Sequence, residues 1–311
     1  MIESILSEGL IYSIMVLGVF ITFRLLNFAD MTVDGSFPLG ACILAACLVN
    51  GINPATGLFL AFGGGVVSGL VTALIHTKLK IPGLLAGILT MTMLGSINLR
   101  IMGNRSNISY LKTDTLFTDI TKTISGPLPE EWTLVVFLFI SVLIIKTVLD
   151  IFFHTDFGLT LGAQGSNEQM IISQGMNPEI IKATGIALAN GLSAFSGAYA
   201  SMYLGYADTG MGTGVVVSGL ASLMLGEFVI RSNKISFLTL RVIIGSIIYR
   251  GIMYFGRIYG HYINLTANDL KLITGILIIL CLVVSGYGDK FINKIRNLKT
   301  ETLKKGKGVN P

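Results

Sequence analysis

The sequence is poor in charge. Asp, Glu, Lys and Arg make up 13% of its 311 residues, where an ordinary soluble domain carries about 25%. A soluble protein of this length must cover its outside with polar groups, and this chain has too few. An ordinary soluble enzyme is thereby excluded, and lipid is the solvent that removes the requirement. The chain has only three histidines and three cysteines. His76 and His154 stand at the ends of apolar runs and His261 in a polar stretch, with no metal constellation around them. Cys42, Cys47 and Cys281 lie inside apolar runs in no ligand or redox spacing, and read as small buried hydrophobes. The net charge of +5 comes from basic residues in short loops and near the end of the chain, not interleaved with stacking aromatics, so no nucleic-acid partner is expected.

What is abundant is apolar sequence and glycine: 52% hydrophobic residues, with 37 Gly against 7 Pro. Glycine at this level favours closely packed helices in a membrane. A bilayer core of roughly 30 Å needs about 20 apolar residues per helix. Candidate spans fall near 5–26, 33–49, 55–75, 83–102, 133–153, 183–204, 213–230, 235–255 and 268–287, an all-α membrane protein of about nine spanning or re-entrant helices. The second and seventh are short and glycine-rich, as broken helices lining a cavity are. The first apolar stretch carries Glu3 and Glu8 where a signal peptide carries Lys or Arg, and is expected to be retained. Lys78 and Lys80, Lys182, Arg231 and Lys234, and the lysine-rich tail 288–311 can all be cytoplasmic together. Nine spans then put the N-terminus outside, the C-terminus inside, and the polar stretch 103–131 outside.

The stretch from Gly9-Leu10 to Phe28-Ala29-Asp30 has an echo in Gly191-Leu192 to Tyr206-Ala207-Asp208, each an apolar helix followed by aromatic-Ala-Asp and a short glycine-rich segment. The copies begin five spans apart, an odd number that inserts them with opposite topology, as in the inverted repeats around a transport pathway. In this reading Asp30, Asp34 and Asp208 flank the broken segments at the two ends of the pathway, and Ser36, Phe37 and Ser218 line it.

Between His154 and Lys182 the chain turns polar, a loop over 155–182. Ser166 or Asn167 can cap a short helix whose first turn carries Glu168, and Gly175 before Asn177-Pro178 stops it. Met170, Ile171 and Ile172 then make a small exposed apolar patch. No Lys or Arg lies between Asp156 and Lys182, so a helix that plugs a partner's groove is favoured over one lying on lipid.

Here a resemblance becomes specific. Gly158 to Asn167 follows Gly-x-x-x-x-Ala-x-Gly-x-Asn and leads through Gly175-Met176-Asn177-Pro178 to Ile181-Lys182; it resembles the coupling loop of permease subunits of ATP-binding-cassette importers of the branched-chain amino acid and ribose group. Arg24-Leu25-Leu26-Asn27-Phe28-Ala29-Asp30 is similar to that family's Arg-x-x-Asn-Phe-Ala signature, and the continuation to Ala41 resembles its tryptophan/tyrosine-type subgroup. The resemblance implies a type II importer architecture, with the whole chain, 1–311, as one transmembrane permease domain in a bacterial cell membrane. It also implies two copies of this subunit, a cytoplasmic ATPase and an extracytoplasmic substrate-binding protein. Gly165, Ser166, Asn167, Glu168, Met170, Ile171, Gly175, Met176 and Asn177 become the ATPase-coupling residues, and the solute an amino acid, with aromatic ones in view. One departure is that Gln164-Gly165-Ser166 stands where the family's loop usually carries Arg. No Gly-x-x-x-x-Gly-Lys-Ser/Thr loop is present, and Gly63-Gly64-Gly65 has no Lys after it, so no cofactor is expected on this chain and ATP belongs to a partner.

A charge inside a span is costly and marks function by default. Glu227 reads either as a packing or gating contact with the docking-loop region or as a group that snorkels to water or pairs with Arg231 at helical spacing. Arg241 is expected to be deep, within reach of Glu227, whereas Arg250 and Arg257 are expected to be solvated at the outer end of span eight. An ion-coupled secondary transporter is the alternative, and it needs Asp30, Asp34, Asp208 or Glu227 near mid-membrane; all four are expected near span ends. A membrane-embedded enzyme would need clustered catalytic groups, and none is found.

Overall fold

A computed structural model describes residues 1–111, 113, 115–118, 129–165, 167–230, 235–259, 272, 274–276 and 279. The chain runs through α1 (Ile2–Val19, continued by a π-helical turn Phe20–Leu25), α2 (Val33–Val49), α3 (Pro54–Lys78), α4 (Gly83–Ile101), β1 (Asn107–Ser109), α5 (Glu130–His154), α6 (Asp156–Gln164), α7 (Glu168–Ser173), α8 (Pro178–Leu204), β2 (Tyr206–Asp208), α9 (Val215–Val229) and α10 (Ile235–Tyr259). Helices stand at eight of the nine expected places. The ninth, 268–287, lies almost wholly outside the described residues, as do Ser166, Arg231, Lys234 and the tail 288–311.

Local chemistry sets the boundaries. Pro54 and Pro178 open α3 and α8 at positions where a missing N–H costs nothing, with Asn53 and Asn177 accepting from Ala55 N and Glu179 N at 2.9 Å. Gly205, at φ +75°, closes α8 in the left-handed region with its N–H on the Ser201 carbonyl. Two features depart from the expected pattern. An antiparallel ribbon pairs Asn107 with Asp208 and Ser109 with Tyr206, and the loop 155–182 holds two helices rather than one, because Thr155 caps α6 by accepting from Gly158 N.

Among the described residues five helices, Ile2–Leu25, Pro54–Lys78, Gly83–Ile101, Glu131–His154 and Ile235–Tyr259, are long and apolar enough to cross a membrane. α3, α4 and α5 turn large apolar residues outward, among them Phe59, Leu74, Leu85, Ile144 and Ile151, a surface suited to lipid and not to water. The 27-residue α8 stands in the middle of the bundle against α1, α2 and α3. Because its neighbours are helices, it carries buried polar groups, Asn190, Ser193, Ser196 and Ser201. Small residues allow that crowding: a Cβ on Gly40 of α2 would run into the Ala194 carbonyl of α8, and one on Gly197 of α8 into the Phe37 carbonyl of α2. The two backbones touch, as in membrane bundles that pack by small residues.

α2 and α9 have 17 and 15 residues, about 25 and 22 Å at 1.5 Å per residue, too short to cross a core of roughly 30 Å. Both begin inside the bundle. Gly35 in the first turn of α2 packs on Met91 and Leu94, midway along α4, and Gly219 of α9 packs on Met15 and Val19 of α1. From there α2 runs one way and α9 the other, towards the end where α1 finishes. They are half-helices whose N-termini meet near the centre.

Candidate functional site

The meeting point is held by two carboxyl groups. Asp34, on α2, accepts from Gly214 N at 3.0 Å and Val216 N at 2.8 Å, so it caps α9 from a neighbouring helix. Asp30 lies just before α2 and is 5% exposed. It accepts from Thr32 N at 2.8 Å and from Asn190 Nδ2 at 2.7 Å, and the Asn190 carbonyl in turn accepts from Ser36 Oγ at 2.8 Å. Thr32 and Thr72 share a hydrogen bond of 2.8 Å beside them. Each carboxyl sits where a helix presents unpaired N–H groups and the positive end of its dipole, which offsets the cost of burying it.

This geometry refines an expectation. Asp30 and Asp34 lie at the N-terminal end of α2, as expected, but that end is inside the bundle: Asp30 is bonded to Asn190, midway along α8. The physical reason is the stretch 26–32, which leaves the helix after the π-helical turn and runs back beside His76, Gly83 and Thr72 before α2 starts. Asp208 lies elsewhere, in the ribbon, accepting from Asn107 Nδ2 at 3.2 Å and Gly210 N at 2.6 Å. Ser36 and Phe37, expected to line a pathway, are wholly enclosed, Phe37 stacked on Tyr12 with centroids 5.4 Å apart. Ser218 is half-buried and donates to the Val215 carbonyl of its own helix.

A second site forms at the end where α1 finishes. Gly165, at the end of α6, donates its N–H to the Leu25 carbonyl at 3.1 Å, and a Cβ there would meet the backbone of Leu25, Leu26 and Asn27. Asn27 takes φ +50°, a left-handed turn that asparagine tolerates. The loop 155–182 is thus seated on the Arg24–Asn27 turn. Glu227, at the far end of α9, pairs with Arg24 (Nε–Oε1 3.1 Å) and with Arg241 (Nη2–Oε1 2.8 Å). A polar cavity of about 360 Å³ lies between Arg24, Asn27, Gly162, Gly165, Met224 and Glu227. Two motifs far apart in sequence, and an acid from a third region, meet here.

Beyond that seat the short helix α7 projects. Asn167 caps it, accepting from Met170 N at 3.1 Å, and Lys182 holds Glu168 at 3.1 Å. Asn167, Glu168, Gly175 and Asn177 are exposed and Met176 is half-buried. Met170 and Ile172 are half exposed, but Ile171 is buried; a one-residue step on a helix turns a side chain by about 100°, so the patch is Met170 and Ile172 without Ile171. Arg250 needs a correction as well. It is not solvated: its guanidinium lies 3.3 Å from the centroid of the Tyr12 ring and 3.6 Å from Glu8, because Glu8 and Tyr12 stand one turn apart on the facing helix. Sequence reasoning missed Asn190, and it missed the largely buried Lys146–Asp150 pair of α5, which ties that helix to Ser236 and Thr239 of α10. The signal for the latter was present, opposite charges four residues apart in an apolar span. Among the described residues no group of His, Cys, Asp and Glu is placed to hold a metal ion.

The family described as branched-chain amino acid transport system, permease component, matches residues 1–282. The chain belongs to this family. The permease is 42% identical over 280 residues to the tyrosine transport system permease protein of Clostridioides difficile (strain R20291), covering 89% of each chain. It is 34% identical to uncharacterized protein RP368 of Rickettsia prowazekii (strain Madrid E), covering 89% of the permease and 95% of that protein. Two solved structures share its fold. One is PsaBC from Streptococcus pneumoniae in complex with Fab, at TM-score 0.51 and 14% identity, covering 89% of both chains. The other is an ABC transporter in an inward-facing conformation, at TM-score 0.50 and 12% identity, covering 91% of the permease and 84% of that chain. The chain is a permease component of a transport system, with apolar helices that fit a membrane protein.

Proposed function

We propose that the permease forms the translocation pathway of an importer for a small solute, an amino acid with tyrosine as the first to test, and that a separate ATPase docks on α6 and α7. In this reading a substrate-binding protein delivers the solute at the ribbon end and two copies of the permease face each other. The docking end is cytoplasmic and the N-terminus outside. The observation that carries the reading is the seating of the loop 155–182 on the Arg24–Asn27 turn, with α7 projecting Met170 and Ile172 beyond it. A helix held at its base and apolar at its tip suits a partner's groove. The identity to a tyrosine transport permease supports the solute class, and the basic residues Lys78, Lys80 and Lys182 at this end support the orientation.

The sequence echo extends to structure, which supports two inverted repeats. Asp30 and Asp208 each close an identical turn by accepting from the N–H two residues on, and each is followed by a half-helix. The packing is reciprocal: α3 lies on α8 as α10 lies on α1. The buried position of Asp30 fits the ion-coupled alternative, but its hydrogen bonds to Thr32 and Asn190 give it a part in holding the half-helices instead.

The test is co-purification from detergent extracts. The intact chain is expected to bring down an ATPase, and Met170→Asp with Ile172→Asp to lose it while the permease remains in the membrane. Uptake that persists without any ATPase and follows an ion gradient overturns the reading.

A further inference from the structure

α9 is fastened at both ends by a carboxylate. Asp34 holds its first turn through Gly214 N and Val216 N, and its own Glu227 is gripped at the other end by Arg24 and Arg241. Arg24 belongs to the π-helical turn whose next residue, Leu25, carries the loop through Gly165. One continuous series of contacts therefore leads from α6 through Arg24 and Glu227, along α9, to Asp34 at the centre.

The seat of α6 has room to move. Cavities of about 280 and 360 Å³ lie on either side of it, sharing Leu25 and Gly162, and the buried amide of Gln164 has no hydrogen-bond partner. Both clefts are partly open to the surface and buried amides are normally paired, so this joint is less tightly specified than the half-helix junction above it. Arg241 is 8% exposed, which makes it the fixed member of the pair on Glu227; Arg24, at 59%, is the free one.

We infer that Arg24 is the positioning residue that couples ATP hydrolysis to the pathway, passing displacement of α6 to Glu227 and along α9 to the Asp34 junction. The inference rests on the docking reading above. It is tested on the complex that co-purifies with the chain, reconstituted with its binding protein in liposomes, with tyrosine uptake and ATP hydrolysis measured side by side. Arg24→Gln leaves Glu227 paired with Arg241 and strips no buried group, so folding is kept. The expected result is unchanged ATPase co-purification, hydrolysis within about twofold, and uptake per ATP lowered about tenfold, a coupling change of ordinary size. Arg24→Lys restores most of the uptake. The double variant Arg24→Gln with Glu227→Gln loses no more uptake per ATP than the worse single variant, as members of one series do. Uptake and hydrolysis falling in the same proportion, no change in either, or loss of the ATPase from Arg24→Gln alone overturns the inference. A wild-type chain that brings down no ATPase overturns the docking reading, and this inference with it.

Discussion

Asn190 is the residue whose removal tests the buried centre most directly. Its amide donates to Asp30 at 2.7 Å and its carbonyl accepts from Ser36 at 2.8 Å, with no exposure to solvent. Asn190→Ala leaves a buried carboxyl with Thr32 as its one donor residue, and costs about 1.5–3 kcal/mol for a bond to a group of that kind. The loss at Ser36 adds about 1 kcal/mol. Together roughly 3 kcal/mol should be lost, which for a domain of this order of size lowers the melting temperature by about 6–12 °C. Purified permease in detergent, melted with a thiol-independent fluorescent probe, gives the measurement. The control is on the same helix. Ser193 is equally buried but its hydroxyl has no hydrogen-bond partner, so Ser193→Ala removes an unpaired polar group and should leave stability unchanged or raised. If Asn190→Ala melts within about 2 °C of the parent, or Ser193→Ala falls as far as it does, the network is not what holds α2 to α8.

Two further outcomes follow from close backbone approach. Gly165→Ala places a methyl against the Leu25 carbonyl and should lower ATPase co-purification several-fold on immunoblots, whereas Gly162→Ala, with open space around its Cβ, should not. Gly197→Ala drives a methyl into the Phe37 carbonyl and should cost about 1–3 kcal/mol in a thermal melt; Gly63→Ala, on the open face of α3, should gain up to about 1 kcal/mol through helix propensity.

Much of the helical layout was legible because it depends on local properties. Apolar run length located α1, α3, α4, α5 and α10, and Gly175 before Asn177-Pro178 marked where the short loop helix stops. The short lengths of α2 and α9 were also readable in the chain itself. What could not be read was depth. Residues 26–32 contain nothing that says they run back into the bundle, since their partners, His76, Gly83 and Thr72, come from other helices. That the end of α2 carrying Asp30 and Asp34 lies inside the bundle was therefore not readable, and Asn190, an ordinary residue in an apolar stretch, gave no sign that it would anchor Asp30. Ile171 and Arg250 failed for a related reason. Their composition suggested exposure, but one packs beneath a six-residue helix and the other folds back over an aromatic ring.

The sequence by itself determined that this is a membrane chain and where most of its helices lie, because hydropathy, capping and glycine content act within a few residues of chain. Only the tertiary structure decided that the Arg24 turn is the seat of the loop 155–182, that Glu227 is shared by two arginines, and that two half-helices meet through Asp34. Those facts are contacts between segments as much as 200 residues apart, fixed by the close passage of glycine-lined backbones and by the demand that every buried carboxyl find a donor.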